Sequence, residues 1–272
     1  AIIMKIWIIY DAERYQKNAV FAKKLKEAFK KRKQMAEIII FDDFSTLPFP
    51  LPDIAIMRMI HPLLTEFLVK NGVYVQNNAF VSQITNDKYK TYQYLSPFVD
   101  MAKSYLIDDS CLDFPLPFPF ILKSLDGHGG QEVFYVQNKN EVHQAFLQTN
   151  KKQMLAQEII PELGKDLRVY VLHDQIICAM LRTSFTDFRS NFSLGGQAQI
   201  YHLNDKEKQI VYEVIRHFDF GLVGIDFLFK NNQLILNEIE DVVGCRMVYT
   251  YTDIDIAQLY IDYILKDFYS KK

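Results

Sequence analysis

The stretch Gly224-Ile-Asp-Phe-Leu-Phe-Lys-Asn-Asn-Gln-Leu-Ile-Leu-Asn-Glu-Ile-Glu240 sets carboxylates into two short apolar arms joined by a polar turn. Both arms are rich in Ile, Leu and Phe, and Lys230-Asn-Asn-Gln233 between them is a hairpin signal. On a strand Glu238 and Glu240 point to one face, about 7 Å apart along the backbone. With a three-residue turn over Asn231 to Gln233, Asp226 stands opposite Glu238 and joins that face. Three clustered acids repel one another and are costly to desolvate alone. A hard divalent cation with oxygen ligands, such as Mg2+ with phosphate and water completing its shell, is their natural partner. An acidic stripe on a solvated sheet face is the competing reading of the hairpin taken alone.

Composition narrows the function classes. The 272 residues carry 31 basic and 33 acidic side chains, a formal charge of -2, so no overall basic field attracts nucleic acid or an anionic membrane. The basic run Lys23 to Lys33 alternates with Phe21, Leu25, Ala28 and Phe29 at helical spacing, which makes its lysines the solvated face of a helix. Cys111, Cys178 and Cys245 lack metal-ligand spacing, and no secretory signal is evident, which suits a reducing compartment; a cytoplasmic protein is expected. No apolar run approaches the ~20 residues of a membrane span.

The first part of the chain alternates strand and helix: strands near Ile2 to Ile9, Glu37 to Phe41, Asp53 to Met59 and Val73 to Val75, with helices between. This is the βαβ pattern of an α/β parallel sheet. Asn86 or Asp87 would cap a helix running to Leu95, and a last helix spans about Ile254 to Phe268. Two proline-spaced segments, Leu47 to Pro52 and Phe114 to Pro119, force extended connections. Nine of the ten glycines fall between Gly127 and Gly244, so tight backbone geometry belongs to the second half.

Further polar constellations lie there. Phe120 to Val136 reads strand, glycine loop, strand, with Lys123 at the end of the first arm. Its glycines free the backbone to curl N–H groups around an anion, while a plain glycine hairpin is the alternative and His128 reads as a solvated turn residue. The loop has neither the P-loop nor the dinucleotide-fold spacing. Asp166 and Arg168 share one face of a strand that follows Gln157-Glu158, so simple pairing of the two charges competes with a binding role. Arg182 ends the next strand, and Arg189, Asn191, Gly195 and Gly196 lie in the loop after it. Guanidinium and amide donors suit phosphate and carboxylate oxygens. Positive and negative walls in one half of the chain describe a Mg-nucleotide site.

Taken in order, these segments resemble the ATP-grasp ligases, most closely the branch with the ribosomal-protein glutamate ligase and the aminoadipate carrier-protein ligase. The similarity runs from about Asn86 to the region of Arg246, with the N-terminal part matching only in pattern. The resemblance implies an ATP-grasp fold of three lobes: an N-terminal α/β lobe over 1–85, a central lobe with the glycine flap over 86–155, and a C-terminal lobe with the metal-binding strands over 156–272. It implies ATP and Mg2+ as cofactors, with Mn2+ possible. Lys88, Lys123, Gly129 and Gly130 would meet the phosphates, Gln157, Glu158, Ile159 and Ile160 would form the hinge beside adenine, and Asp166 would approach the ribose. Arg182, Arg189 and Asn191 would surround the γ-phosphate and the activated carboxylate. Asp226, Glu238 and Glu240 would hold the metal, and Arg168 and Arg246 would contact substrate carboxylate.

The implied reaction joins a small-molecule carboxylate to an amine, small molecule or protein terminus, through an acyl phosphate, giving an amide plus ADP and phosphate. One departure stands out. Where the family has Glu-x-Asn before a small residue and Pro-Gly, this chain has Glu238-Ile-Glu240-Asp241-Val-Val-Gly244. Glutamate can replace asparagine as an oxygen ligand but adds negative charge. A kinase on the same scaffold, or a Mg-ATP-binding regulatory or assembly protein without turnover, are the rival expectations.

Overall fold

The computed structural model describes residues 3–128, 130–185, 187 and 196–272. Its first part runs β1 (Ile6–Tyr10), α1 (Ala12–Lys31), β2 (Ala36–Ile40), β3 (Ile54–Met57), α2 (Pro62–Lys70) and β4 (Tyr74–Gln76). The strands form a parallel sheet in the order β2-β1-β3-β4. β1 is apolar without alternation because both its faces are covered: Ile6, Ile8 and Tyr10 meet Phe21, Leu25 and Phe29 of α1, while Trp7 and Ile9 meet Leu64 and Leu68 of α2.

Two short helices follow, α3 (Ala79–Thr85) and α4 (Lys88–Leu95). Asp87 caps α4, its carboxylate accepting from the N–H groups of Tyr89 and Lys90. A second, antiparallel sheet in the order β5-β8-β6-β7 comprises β5 (Ser104–Asp108), β6 (Phe120–Lys123), β7 (Val133–Val136) and, after α5 (Lys139–Thr149), β8 (Gln153–Gln157).

The third sheet carries the hairpin. It orders β11-β10-β9-β12-β13 from β9 (Lys165–Leu172), β10 (Gln175–Thr183), β11 (Gln197–Ile200), β12 (Leu222–Lys230) and β13 (Gln233–Glu240), with α6 (Asp205–Ile215) inserted before β12. One face of this sheet packs Leu167, Val169, Val171, Val223, Ile225 and Phe227 beneath α6 residues such as Val211 and Val214. The other face is apolar at one end, where Tyr170, Leu172, Met180 and Leu222 join the core shared with α1 and the last helix, α8 (Ile256–Ser270). Because side chains alternate along strands, the same face continues into Asp166 and Arg168 on β9, Arg182 on β10 and Asp226 on β12. A single sheet face thus passes from core to charged wall.

The hairpin turn is shorter than the three residues expected. Lys230 pairs with Gln233, leaving Asn231 and Asn232 as a two-residue turn with φ of 51° and 60°. Positive φ at both central positions suits the asparagines and the twist of the arms. A β-bulge between Asp226 and Phe227, with Asn237 as the extra residue on β13, restores the expected pairing of Asp226 with Glu238. Among the described residues, no helix is long and apolar enough to cross a membrane.

Gly224, paired with Glu240, has no room for a side chain: a Cβ there would lie 2.6 Å from Val243 Cγ2 and 3.5 Å from Arg168 Cδ. Gly224→Ala is expected to cost about 1–3 kcal/mol through displacement of Val243, which thermal denaturation would read; an unchanged Tm would show that this turn yields freely.

Candidate active site

The charged wall is a ladder of cross-strand pairs. Arg182 stands opposite Asp166, and Arg168 opposite Asp226, in the strand register. Arg182 donates to Asp166 through Nε at 2.8 Å and Nη2 at 2.5 Å, and its Nη2 also reaches Asp226 Oδ2 at 3.2 Å. Arg168 donates to both oxygens of Asp226 at 2.9 Å and approaches Glu240 at 3.9 Å. The intra-strand pairing of Asp166 with Arg168 does not form, because residues two apart on a strand stand farther from each other than directly opposed cross-strand partners. Burial opposes the charge of Arg168, but the carboxylate of Asp226 raises its pKa well above the usual range.

Asp226, Glu238 and Glu240 converge as the hairpin predicts: one oxygen from each lies within 4.8 Å of the others. Three hard oxygen donors suit Mg2+ or Mn2+. Oδ2 of Asp226 accepts from both arginines, but Oδ1 accepts from Arg168 alone and offers its second lone pair. Glu240 is opposed by burial but held down at about 2 by a hydrogen bond from His128 and by Arg168. The His128 ring nitrogen lies 3.5 Å from Glu240, so this residue faces the acids instead of solvent as expected.

Two lysines close the site from the central sheet side. Lys88, in the first turn of α4, sits 3.1 Å from Glu238 and donates to the Gly127 carbonyl at 2.6 Å. Burial opposes its charge, while Glu238 and Glu240 raise its pKa. Lys123 ends β6 and donates to Asn237 Oδ1 at 3.1 Å. Burial pushes its ammonium down to about 8, against the attraction of Glu238 and with the repulsion of Lys88. Asn237, the bulged residue, was not singled out by sequence; only its place between two acids of a hairpin could have flagged it.

Lys88, Lys123, Asp166, Arg168, Arg182, Asn237, Glu238 and Glu240 line one cleft between the second and third sheets, together with Gly127 and Gly130, and with Gln157, Glu158 and Ile160 at the end of β8 and the turn after it; the buried Asp226 is not among the lining residues. Gly130 adopts a φ of 74°. Gln157 donates to Ser104 Oγ at 3.3 Å, and Glu158 exchanges bonds with the backbone of Lys103, which fastens the end of β8 to the start of β5. Ile159 is not among the cleft-lining residues, and neither is Arg246, which opens α7 (Arg246–Tyr251) and is exposed. Gly129, Arg189, Asn191 and Gly195 lie outside the described residues.

A family model for the "RimK-like ATP-grasp domain" matches residues 67–264. A "Probable alpha-L-glutamate ligase" of Haemophilus influenzae (strain PittEE) is 30% identical over 203 residues, 71% of this chain and 68% of that protein. The "Uncharacterized protein MG011 homolog" of Mycoplasma pneumoniae is 28% identical over 251 residues, 89% of this chain and 85% of its own length. Among solved structures, D-alanine–D-alanine ligase from Bacillus anthracis complexed with ATP superposes with a TM-score of 0.78 at 14% identity, covering 99% of this chain and 100% of that one. A RimK domain ATP-grasp protein from Sphaerobacter thermophilus gives 0.74 at 16% identity, with 96% and 99% coverage.

Proposed function

Because the chain belongs to the RimK-like ATP-grasp family and has the ATP-grasp fold, we propose that it is an ATP-dependent, ADP-forming carboxylate–amine ligase whose active site is the cleft between the second and third sheets. The observation that carries this reading is the meeting, at one cleft, of Glu238 and Glu240 with two lysines and two arginines drawn from different elements, with the buried Asp226 offering an oxygen within 4.8 Å of one from each glutamate. Opposite charges of this density suit a polyphosphate with its cation.

In this reading Asp226, Glu238 and Glu240 hold Mg2+, which when bound draws charge from the phosphate oxygens. Lys88 and Lys123 receive the phosphates beneath a flap built on Gly127 to Gly130. Gln157, Glu158, Ile159 and Ile160 supply the adenine hinge. Asp166, with both oxygens on Arg182, orients that guanidinium toward the transferring group and so acts through it, in addition to the ribose contact expected from the family. Arg189 and Asn191 complete the donors around the γ-phosphate, and Arg168 and Arg246 serve the substrate carboxylate. A carboxylate oxygen of the substrate attacks the γ-phosphorus and ADP leaves; the amine nitrogen then attacks the acyl carbon, phosphate leaves, and the amine loses a proton. The residues contribute position and charge, and no covalent enzyme nucleophile is required. The lobes divide at 1–85, 86–155 and 156–272, the location is cytoplasmic, and the acceptor is a small amine or a protein terminus.

The test is ADP release from Mg-ATP against a panel of amino acids and dicarboxylates, with and without hydroxylamine. Release that depends on a carboxylate and yields a hydroxamate is expected. Tight ATP binding with no ADP formed under any mixture would replace the ligase reading by a binding role, and a stable phosphorylated product would replace it by a kinase.

A further inference from the structure

β13 is the edge strand of its sheet, so the end that carries Glu240 is held by a ladder on one side only. Strand ends with a single neighbour fray unless something else fastens them. The residue that follows, Asp241, is also a carboxylate and is buried. Both its oxygens are turned to neutral amides: Oδ1 accepts from Asn77 Nδ2 at 2.8 Å, and Oδ2 accepts from Asn86 Nδ2 at 2.9 Å. Asn77, just beyond β4, also donates to the carbonyls of Leu222 and Asp241 and accepts from the Gly221 N–H, so it ties the start of β12 to the end of β13. Two residues further on, the Val243 carbonyl accepts from the buried guanidinium of Arg58 at 2.7 Å. Val243 in turn fills the space that Gly224 leaves opposite Glu240.

None of Arg58, Asn77, Asn86 and Asp241 lines the cleft. We infer that Asp241 is a positioning residue: Asn77, Asn86 and Arg58 fasten the segment 241–243, and through it the N-terminal part of the chain sets the spacing of Glu238 and Glu240 for a divalent cation. The inference rests on the ligase reading only in taking Asp226, Glu238 and Glu240 as the cation site. The amide pair also keeps Asp241 from joining the cluster as a fourth anion. Outer partners of metal ligands act in this way by fixing orientation without touching the ion.

The probe is Mn2+ added to the 272-residue chain and followed by electron paramagnetic resonance, beside nucleotide binding in the presence of EDTA. Asp241→Asn, which sets an amide against two amide donors, is expected to weaken Mn2+ binding by about 10- to 100-fold while metal-free nucleotide affinity stays within about twofold. Asn86→Ala, which removes one donor and adds no charge, is expected to shift Mn2+ affinity the same way by less. It decides the matter should Asp241→Asn fail to fold. A lower Tm with unchanged Mn2+ affinity in the folded variants would reduce the clamp to a structural role and overturn the inference. Failure of the parent chain to bind Mn2+ would instead remove the cation site, and the inference with it.

Discussion

Asp226→Asn is expected to abolish Mg-dependent turnover and to lower stability in the same step. The Asp226 carboxylate, 1% exposed, is shared by Arg168 and Arg182. Asparagine keeps one oxygen but removes the charge that two buried guanidinium groups depend on. Arg182 retains Asp166; Arg168 is left with Glu240 at 3.9 Å. Breaking a buried pair from one side costs about 3–5 kcal/mol, a fall in Tm on the order of 10 °C for a chain of this size. Turnover should drop on the order of 100-fold or more, the scale of losing one preorganised electrostatic contact. Glu238→Gln separates the two effects, since Glu238 faces Lys88 at a partly open position and its loss should spare Tm while removing turnover as strongly. Thermal melts and ADP release on both variants are the measurement. Full activity in both would remove the metal assignment.

Affinity for Mg-ATP is expected to fall as pH rises through about 8. Lys123 carries a pKa pushed down to about 8 by burial, so in the free protein it loses its charge above that pH. A bound phosphate stabilises the ammonium and raises its pKa, so above about 8 binding must take up a proton, and affinity declines by up to about tenfold per pH unit until the bound value is reached. Stability of the free protein runs the other way. Between about 8 and 10.5 the unfolded chain holds a proton on Lys123 that the folded chain has released, so Lys123 makes the fold more stable as pH rises. Calorimetric titration from about pH 6.5 to about 9.5 checks the binding limb. Lys123→Arg should flatten it, because a guanidinium stays charged throughout, and Lys123→Met should weaken binding at every pH below 8 by roughly 10- to 150-fold, the range of a hydrogen bond to a charged group. A parent profile that is flat across pH 8 would show that Lys123 does not meet the phosphates.

The acids of the hairpin, the lysine ahead of the glycine loop and the arginine ending β10 were legible in the sequence because each breaks a local pattern: carboxylates inside apolar strands, glycines between two strands, a cation at a strand end. The βαβ alternation and the cap at Asp87 were legible for the same reason, being local rules of period and capping. What stayed hidden depends on register between strands that are distant in sequence. Asp166 pairs with Arg182 and Arg168 with Asp226 only once β9 lies between β10 and β12. His128 reads as a solvated turn residue until the flap is folded over Glu240. The fastening of Asp241 by Asn77 and Asn86 spans 164 and 155 residues, beyond any motif.

The bulge at Asn237 changes which face of the sheet β13 addresses along its length. Leu234 and Leu236 precede it and point into the core beneath α6, and Ile239 points there after it. Read as plain alternation, Leu234, Leu236, Glu238 and Glu240 would all share that face, and the two acids would be buried among Val223, Ile225 and Phe227. One inserted residue advances the strand by half a pleat, so an even-numbered series that begins greasy finishes anionic on the opposite side. Asn237 is therefore a phase marker. Its deletion would leave a regular strand with the same facing, both glutamates on the cleft and Ile239 in the core, and would take away only the local bend and the amide oxygen that accepts from Lys123.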